Sequence, residues 1–245
     1  RSVKMCDYVT TVSEGYKKRI QKDSNQTKFY VIPNGFDPEE IDNLPKATNT
    51  SSFDMAYVGA LYEGKRDLSV IFKVLRRLIN EGVLPLNEIT FNYAGADITY
   101  LQEQANKYDL STIIKDYGFL SRVECLKLQM KSRFLVLSTW NEEGEEGVFP
   151  GKFIEYMMMK KPIISIVNGQ LPDAEVTNAI REYALGVSYE SAKKCTETEL
   201  YNWMKCQANQ YRSGEPAFFC ADQEAIDLKY NWINVVERFC ELIDG

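Results

Sequence analysis

The chain has 245 residues, of which 44% are hydrophobic and 26% are charged. This length allows one large or two smaller domains with a sizeable core, and the composition is typical of a globular protein and not of a disordered chain. A net charge of −6 argues against a broadly basic surface for nucleic acid, and a histidine count of zero excludes a histidine-based triad, metal site or general base.

The first 52 residues predict the end of a larger domain. Two strand-like segments, YVTTVS and FYVIPNGFD, flank the helical EGYKKRIQK, and the polar LPKATNTSS that follows is typical of a linker. Two strands cannot build an independent core. Because the first residues carry no signal-peptide pattern and no apolar run approaches the ~20 residues of a membrane span, we expect a cytoplasmic protein.

From Phe53 onward, strand and helix patterns alternate. Apolar, β-branched runs predict strands over residues 53–60, 88–95, 112–118, 134–138, 162–167 and 185–189. Helical patterns lie between them, among them LSVIFKVLRRLINEG, YLQEQANKY, VECLKLQMKS and KFIEYMMM. This order predicts an α/β fold with a doubly wound parallel sheet of about six strands. The closing AIDLKYNWINVVERFCELI predicts one long amphipathic helix over residues 225–243.

Glycine-containing loops follow the predicted strands, at the sheet edge where such folds bind ligands. The loops are VGALYEGKRD with Gly59, AGAD, YGFLSR, and NEEGEEGVFPGK before the helix KFIEYMMM. Glycine allows close approach of the backbone to a ligand, but simply making the turn is its commoner use. Four such loops on one edge favour a ligand site there.

The segment PGKFIE places both signs of charge at the start of a helix. Pro150 and Gly151 are typical of a helix start, where free N–H groups favour anions, and Lys152 adds a full positive charge. Glu155 lies one turn further and could accept from both hydroxyls of a ribose, so the pair predicts a nucleotide site. The alternative is a solvated pair of Glu155 with Lys152 or Lys160, worth about 0.2 to 0.5 kcal/mol.

Other features have plain structural interpretations. The neighbouring pair Lys65 and Arg66 could be a solvated helix start, although its position after a strand and a glycine favours a phosphate contact. The Glu142–Glu146 cluster is typical of a solvated loop, and Met157–Met159 of core packing. Six cysteines without a CxxC pair predict free, mostly buried thiols.

Five segments of the sequence, in this order, resemble the GT-B glycosyltransferases, in particular the family-4-like "glycosyl transferases group 1". They are CDYVTTVSEGYKKRI, VIPNGFD, YVGALYEGKRDLSVIFKVL, YGFLSRVECLKLQMKSRFLVLST and PGKFIEYMMMKKPIIS. Such enzymes have two Rossmann-like domains facing a cleft, one for the acceptor and one for the nucleotide-sugar donor. The resemblance implies an acceptor-domain remnant and linker at 1–52, a nucleotide-sugar-binding domain at 53–225, and at 226–245 a terminal helix that packs toward the acceptor domain.

The resemblance also implies roles for individual residues. Glu155 would bind the ribose hydroxyls, and Lys65, Arg66 and Lys152 would be the catalytic cations that neutralise the departing diphosphate. The remaining contacts to the nucleotide would come from Gly59, Gly118, Phe119 and Leu120, with the base read largely through main chain. The donor sugar would lie against Glu146, Gly147, Val148 and Phe149, and amides from Gly147 through Lys152 would receive the diphosphate or the sugar.

One position departs from the family pattern. The paired glutamates of that family lie eight residues apart, and eight residues before Glu155 is Gly147. The sequence instead resembles a variant with P-x-K-x-x-E, here Pro150, Lys152 and Glu155. Glu146 takes the role of the first glutamate only if the loop carries a one-residue shift.

The resemblance implies a glycosyltransferase of polysaccharide biosynthesis that retains anomeric configuration and uses a UDP- or GDP-sugar without cofactor or metal. Its acceptor would be a glycan or glycolipid, with peripheral attachment to the inner face of the membrane through the missing acceptor domain. The 245-residue chain alone would bind donor weakly and transfer nothing. The alternatives are a non-catalytic nucleotide-sugar-binding module and a GT-B-type nucleotide-sugar 2-epimerase, against which the lack of histidine counts.

Overall fold

A computed structural model of the chain describes residues 6–22, 28–42, 44, 52–63 and 65–244. The first part contains strands β1 (Tyr8–Thr11) and β2 (Lys28–Val31) with helices α1 (Glu14–Gln21) and α2 (Glu39–Asp42). The strands β3 to β8 follow at Phe53–Val58, Ile89–Ala94, Ile114–Asp116, Phe134–Trp140, Ile163–Asn168 and Gly186–Glu190. The helices α3 to α10 are Ser69–Asn80, Thr99–Asn106, Arg122–Lys131, Gly151–Met158, Glu175–Glu182, Cys195–Arg212, Gln223–Tyr230 and Trp232–Asp244.

Strands β3 to β8 form one parallel sheet in the order β5-β4-β3-β6-β7-β8. The predicted six-stranded parallel sheet is therefore confirmed. Edge strand β5 is shorter than the predicted 112–118, because residues 111–113 form a 3₁₀ turn before it. The direction of strand addition reverses between β3 and β6, and in such sheets ligands bind outside the carboxyl ends of the strands at that switch point.

Helices cover both faces of the sheet and bury two apolar layers. Along β3 the side chains alternate, since Met55 and Tyr57 belong to one layer while Ala56 and Val58 belong to the other. Helices α3, α4 and α8 pack on the first face, and α5, α6, α7 and α9 pack on the second. This sandwich holds the loops that follow β3 and β6 beside each other.

The first part of the chain contacts the sheet domain from outside. The two predicted strand-like segments contain β1 and β2, which pair in parallel as a separate two-stranded sheet. Phe36 then forms a parallel bridge to Asn231, with its N–H donating to Tyr230 and its carbonyl accepting from Trp232. Most of the predicted linker, residues 44–52, lies outside the described residues, and the proposed domain boundaries stay predictions.

Two predictions are wrong in detail. The terminal helix predicted over 225–243 is two helices, because Asn231 is extended (φ −64°, ψ 132°) and the backbone on either side of it bonds to Phe36 instead of continuing the helix. Cysteines are mostly exposed and not buried: Cys125 is a half-buried free thiol, and exposed free thiols are found at Cys195, Cys206, Cys220 and Cys240. Within the described ranges, no helix is both long enough and apolar enough to cross a membrane.

Candidate functional site

The loops after β3 and β6 bring Gly59 and Lys152 together at the switch point. Helix α6 begins at Gly151 as predicted, and its apolar face packs on the sheet through the buried Phe153 and Met157. Gly59 has φ +134°, and a Cβ atom there would lie 2.5 Å from Nζ of Lys152. A glycine is therefore what allows the lysine ammonium to lie directly over the end of β3.

Lys152 is a half-buried cation, and within the described part of the chain no hydrogen bond or ion pair to its ammonium is found. Burial lowers the pKa of Lys152, the charge of Glu155 opposes that shift, and the charge of Arg66 adds to it. The first N–H groups of an α-helix have no partner within the helix, and a Cβ atom on Gly151 would meet nothing within 4 Å, so there is open space at the start of α6. An unpaired cation of this kind favours an anionic ligand.

Arg66 and its neighbour Lys65 lie on the loop after β3, and the charge of Arg66 acts on Lys152. Nη1 of Arg66 donates to the carbonyl of Ala60 (3.0 Å) and to the hydroxyl of Tyr57 (3.2 Å), while its buried Nε has no hydrogen-bond partner among the described residues. Both cations make cation–π contacts with Trp140: Nζ of Lys65 lies 4.2 Å and Cζ of Arg66 5.6 Å from the ring centroid. Trp140 thus joins Lys65 to Arg66, and Arg66 is close enough to Lys152 for its charge to act on it, which links the three predicted cations in one cluster.

The acidic loop after β6 contributes one carboxylate to this cluster. Oε2 of Glu145 accepts from Nζ of Lys65 at 2.8 Å, and this hydrogen bond is the main reason that the pKa of Glu145 lies below its usual range. The pair is exposed, so it adds little to stability and leaves Lys65 able to exchange partners. Glu146 bonds instead to the backbone of its own loop, which lowers its pKa.

Glu155 is held by two donors from α5. Its Oε1 accepts from Nε2 of Gln129 at 2.5 Å, and its Oε2 accepts from Nη1 of Arg122. Its side chain is 13% exposed, so the carboxylate still reaches the surface. Among the described residues Glu155 does not pair with Lys152 or Lys160, because Arg122 takes that place.

Arg122 extends this contact to the first part of the chain. Its Nη2 and Nε donate to the two carboxylate oxygens of Glu40 at 2.7 and 3.3 Å, and these hydrogen bonds are the largest cause of the raised pKa of Arg122. A cavity of about 440 Å³ lies between this ion pair, α6 and the segment after β2, and Trp232 forms part of its wall.

Loop 118–120 lies at the carboxyl end of edge strand β5. Gly118 has the left-handed φ of +61°, and its carbonyl accepts from the N–H of Gly95 at 2.9 Å, which ties the loop to the end of β4. Phe119 is 89% exposed, whereas Leu120 packs against the apolar layer below. This loop adjoins the basic residues, since a Cβ atom on Gly95 would lie 2.6 Å from the carbonyl oxygen of Gly59.

The predicted sugar residues lie under helix α1. Oγ of Ser13 donates to the carbonyl of Gly147 at 2.7 Å, and a Cβ atom on Gly15 would lie 2.5 Å from Cα of Gly147, so the two backbones touch. The ring of Phe149 packs against other aromatic rings: its centroid lies 5.0 Å from that of Phe153, and it stacks on the ring of Tyr230. Gly147 is buried, while Glu146 and Val148 are half-buried.

Sequence reasoning missed several contacts at this site. Trp140 carries a recognisable signal, since an aromatic residue at the end of a strand lies at the ligand edge of the sheet. Gln129 carries a weaker one, a polar residue inside an otherwise apolar helix face, and nothing in the sequence indicated Ser13 or Glu40. Across the described residues, no group of three or more acidic or cysteine side chains could hold a metal ion.

Comparisons with family models and with curated protein sequences found no match. Solved structures do match over nearly the whole chain. TarM of S. aureus superimposes with a TM-score of 0.65 at 13% identity, covering 100% of this chain and 45% of TarM. The pneumococcal O-GlcNAc transferase GtfA gives 0.62 at 13% identity, with 97% and 45% covered. Sucrose-phosphate synthase from Thermosynechococcus elongatus gives 0.64 at 13% identity, with 99% and 59% covered.

These similarities cover 97 to 100% of this chain, but the chain spans only about half the length of the proteins that it matches. At such identities they show the fold. The chain therefore has a GT-B glycosyltransferase fold, and its six-stranded parallel sheet with helices on both faces corresponds to one Rossmann-like half of that fold.

Proposed function

We propose that this chain is the donor-binding part of a glycosyltransferase that moves a sugar from a nucleoside-diphosphate sugar to an acceptor. The observation that carries the proposal is the unpaired, half-buried Lys152 at the start of α6, one turn before the surface-reaching carboxylate of Glu155. A diphosphate complements the first group and a ribose the second. The fold supports this, since GtfA was solved with UDP and GlcNAc and a TarM mutant with UDP.

The cations would stabilise the departing diphosphate. Cleavage of the sugar–phosphate bond leaves a negative charge on the phosphate oxygen, and fixed positive groups aimed at that oxygen lower the barrier. Lys152 and Arg66 are held in place by burial and by hydrogen bonds, so little reorganisation is needed when the charge develops. Lys65 would add a third cation after leaving Glu145, and the amides of Gly151 and Lys152 would complete the cradle.

The remaining groups would surround the sugar and the base. Gly59 admits the backbone to the phosphates, and loop 118–120, with the exposed Phe119, would contact the base. The sugar would lie against residues 146–149, where α1 closes the loop. Because residues before the sheet already reach this place, an acceptor domain that continues from them would complete the active site, and the chain alone would bind donor weakly without turnover.

The finer points of the proposal follow the sequence resemblance. The donor would be a UDP- or GDP-sugar, transfer would retain anomeric configuration without metal or cofactor, and the acceptor would be a glycan or a lipid-linked sugar in polysaccharide biosynthesis. Nucleic acid is not an expected partner, because the net charge is −6. The protein would work in the cytoplasm, at the inner face of the membrane.

A thermal-shift panel tests the core of this proposal. Ligands that bind only the folded chain raise its melting temperature by mass action, so UDP or GDP at millimolar concentration should raise it while the matching nucleoside, which lacks phosphates, should not. The variant Lys152→Met should lose the shift. The proposal fails if no nucleoside diphosphate shifts the melting of the folded protein, or if nucleoside and diphosphate act alike.

A further inference from the structure

One face of α5 presents two hydrogen-bond donors to a single carboxylate. Arg122 and Gln129 lie seven residues apart, which places them on the same side of the helix two turns from each other. Arg122 donates to Oε2 of Glu155 and Gln129 to Oε1, so each oxygen of this carboxylate is engaged once. The direction of the Glu155 side chain is therefore fixed from α5 and not by α6 alone.

Gln129 is unusual because it is a fully buried amide with one unused atom. Its relative exposure is 0%, and its Oε1 has no hydrogen-bond partner in the described structure. A buried polar atom without a partner costs free energy, so packing alone would favour an apolar side chain here. The amide orientation follows from charge, since turning it over would press Oε1 against the carboxylate of Glu155.

Arg122 is itself held on its other edge. Its Nη2 and Nε make a fork to Glu40, which lies in α2 before the sheet domain, while Nη1 remains for Glu155. A planar guanidinium bound along two edges has little freedom to turn. The Glu155 carboxylate is thus positioned by a rigid cation on one side and a buried amide on the other.

This arrangement leaves lone pairs on both carboxylate oxygens of Glu155 free to accept hydrogen bonds from a ribose. A carboxylate offers about four lone-pair sites, and two of them are taken by Arg122 and Gln129. One site on each oxygen remains for the two neighbouring ribose hydroxyls. A glutamate without these partners would have to lose side-chain freedom when the ligand binds, and that loss weakens the contact.

We propose that Gln129 and Arg122 are positioning residues which orient Glu155 toward both ribose hydroxyls and thereby set the preference for ribose over deoxyribose. The inference rests on the proposed function, since it needs a nucleoside diphosphate to bind at α6. It assigns the sugar specificity of the nucleotide to two residues that need not touch the ligand.

The test compares ribose and deoxyribose ligands on the full chain. Dissociation constants for UDP, 2′-deoxy-UDP, GDP and 2′-deoxy-GDP are measured by titration calorimetry. A hydrogen bond to a charged group corresponds to about a tenfold change in affinity, so the wild-type chain should prefer the ribose form about tenfold. Gln129→Met, which keeps the side-chain volume, and Arg122→Met should reduce that preference to about twofold. The deoxy form keeps only the 3′-hydroxyl contact to Glu155, so it should lose less affinity than the ribose form.

Matched controls separate positioning from general damage. Gln102→Met makes the same change on the exposed side of α4, and Arg181→Met removes an exposed arginine from α7, so both should keep the full ribose preference. In a Glu155→Ala background, Gln129→Met should change the preference no further. Arg122→Lys keeps the charge but loses the fork to Glu40, and should fall between wild type and Arg122→Met.

Three outcomes would count against the proposal. An unchanged ribose preference in both Gln129→Met and Arg122→Met, with deoxy binding intact, would show that the two residues do not position Glu155. Equal binding of ribose and deoxyribose forms by the wild-type chain would remove the specificity that they are proposed to set. If neither UDP nor GDP binds the wild-type chain, the proposed function fails first and the inference with it.

Discussion

Helix α6 carries an unpaired cation at one end of the candidate site and a paired carboxylate at the other. At the basic end, Lys152 is half-buried beside Arg66 and lacks a protein partner in the described structure. At the acidic end, Glu155 lies one turn away and is held by both Arg122 and Gln129. Burying an unpaired charge lowers stability, whereas a paired carboxylate adds to it. Under the proposed function, the unpaired Lys152 would bind a ligand phosphate, and the Glu155 carboxylate, already positioned by protein donors, would accept hydrogen bonds from neutral hydroxyls.

The largest expected effect comes from the basic end. Lys152→Met keeps most of the side-chain volume and removes the charge, so affinity for a nucleoside diphosphate should fall roughly 100-fold, or about 2 to 3 kcal/mol. Without ligand, the free energy of unfolding should stay the same or rise, because an unpaired buried charge is removed. Titration calorimetry and urea denaturation measure the two quantities.

A matched variant completes that test. Lys73→Met removes an exposed lysine of α3, paired with Glu197 at 2.6 Å, and should leave ligand affinity unchanged. If Lys152→Met lowered stability and left affinity intact, Lys152 would be a structural residue and the contrast between the two ends would disappear.

Removing the carboxylate at the acidic end should lower the free energy of unfolding, whereas removing the charge of Lys152 should not. Glu155→Ala leaves the buried Nε2 of Gln129 and one edge of Arg122 without an acceptor, so the free energy of unfolding should fall by about 1 to 3 kcal/mol. Ligand affinity should fall as well. Glu103→Ala, at an exposed position of α4, is the control and should change neither quantity. A stable Glu155→Ala variant would contradict the account of this end as a preformed network.

A substitution at Gly59 tests the close contact between this glycine and the ammonium of Lys152. Gly59→Ala is strained at φ +134° and places a Cβ atom 2.5 Å from Nζ of Lys152, so stability should fall by about 1 to 3 kcal/mol and the ammonium should be displaced. Gly82→Ala also sits at positive φ (+69°), but a Cβ atom there meets nothing within 4 Å. It should therefore lower stability and spare ligand binding, and equal loss of binding in both variants would argue against a direct contact at Gly59.

The sheet and the start of α6 could be predicted from the sequence, while much of the site network could not. Local periodicity predicts the six strands and the buried face with Phe153 and Met157, because burial alternates with the strand and helix repeats. The contacts of Lys65 with Glu145, and of Arg122 with Glu40, join residues about 80 positions apart. They depend on which loops meet at the switch point, and on the bridge from Phe36 to Asn231 that also breaks the terminal helix.

The pH dependence of stability gives the smallest expected effect and the most direct view of Lys152. Because burial lowers the pKa of Lys152 in the folded state, the unfolded chain binds more protons between that lowered value and the usual 10.5. Stability from this group should therefore rise with pH through that window. The measurement is the unfolding free energy of wild type minus that of Lys152→Met from pH 8 to 10.5, where the difference should move in favour of wild type as pH rises. Saturating nucleoside diphosphate should flatten or reverse the slope, since a bound phosphate keeps the ammonium charged, and a flat difference without ligand would mean that the ammonium is already solvated or paired.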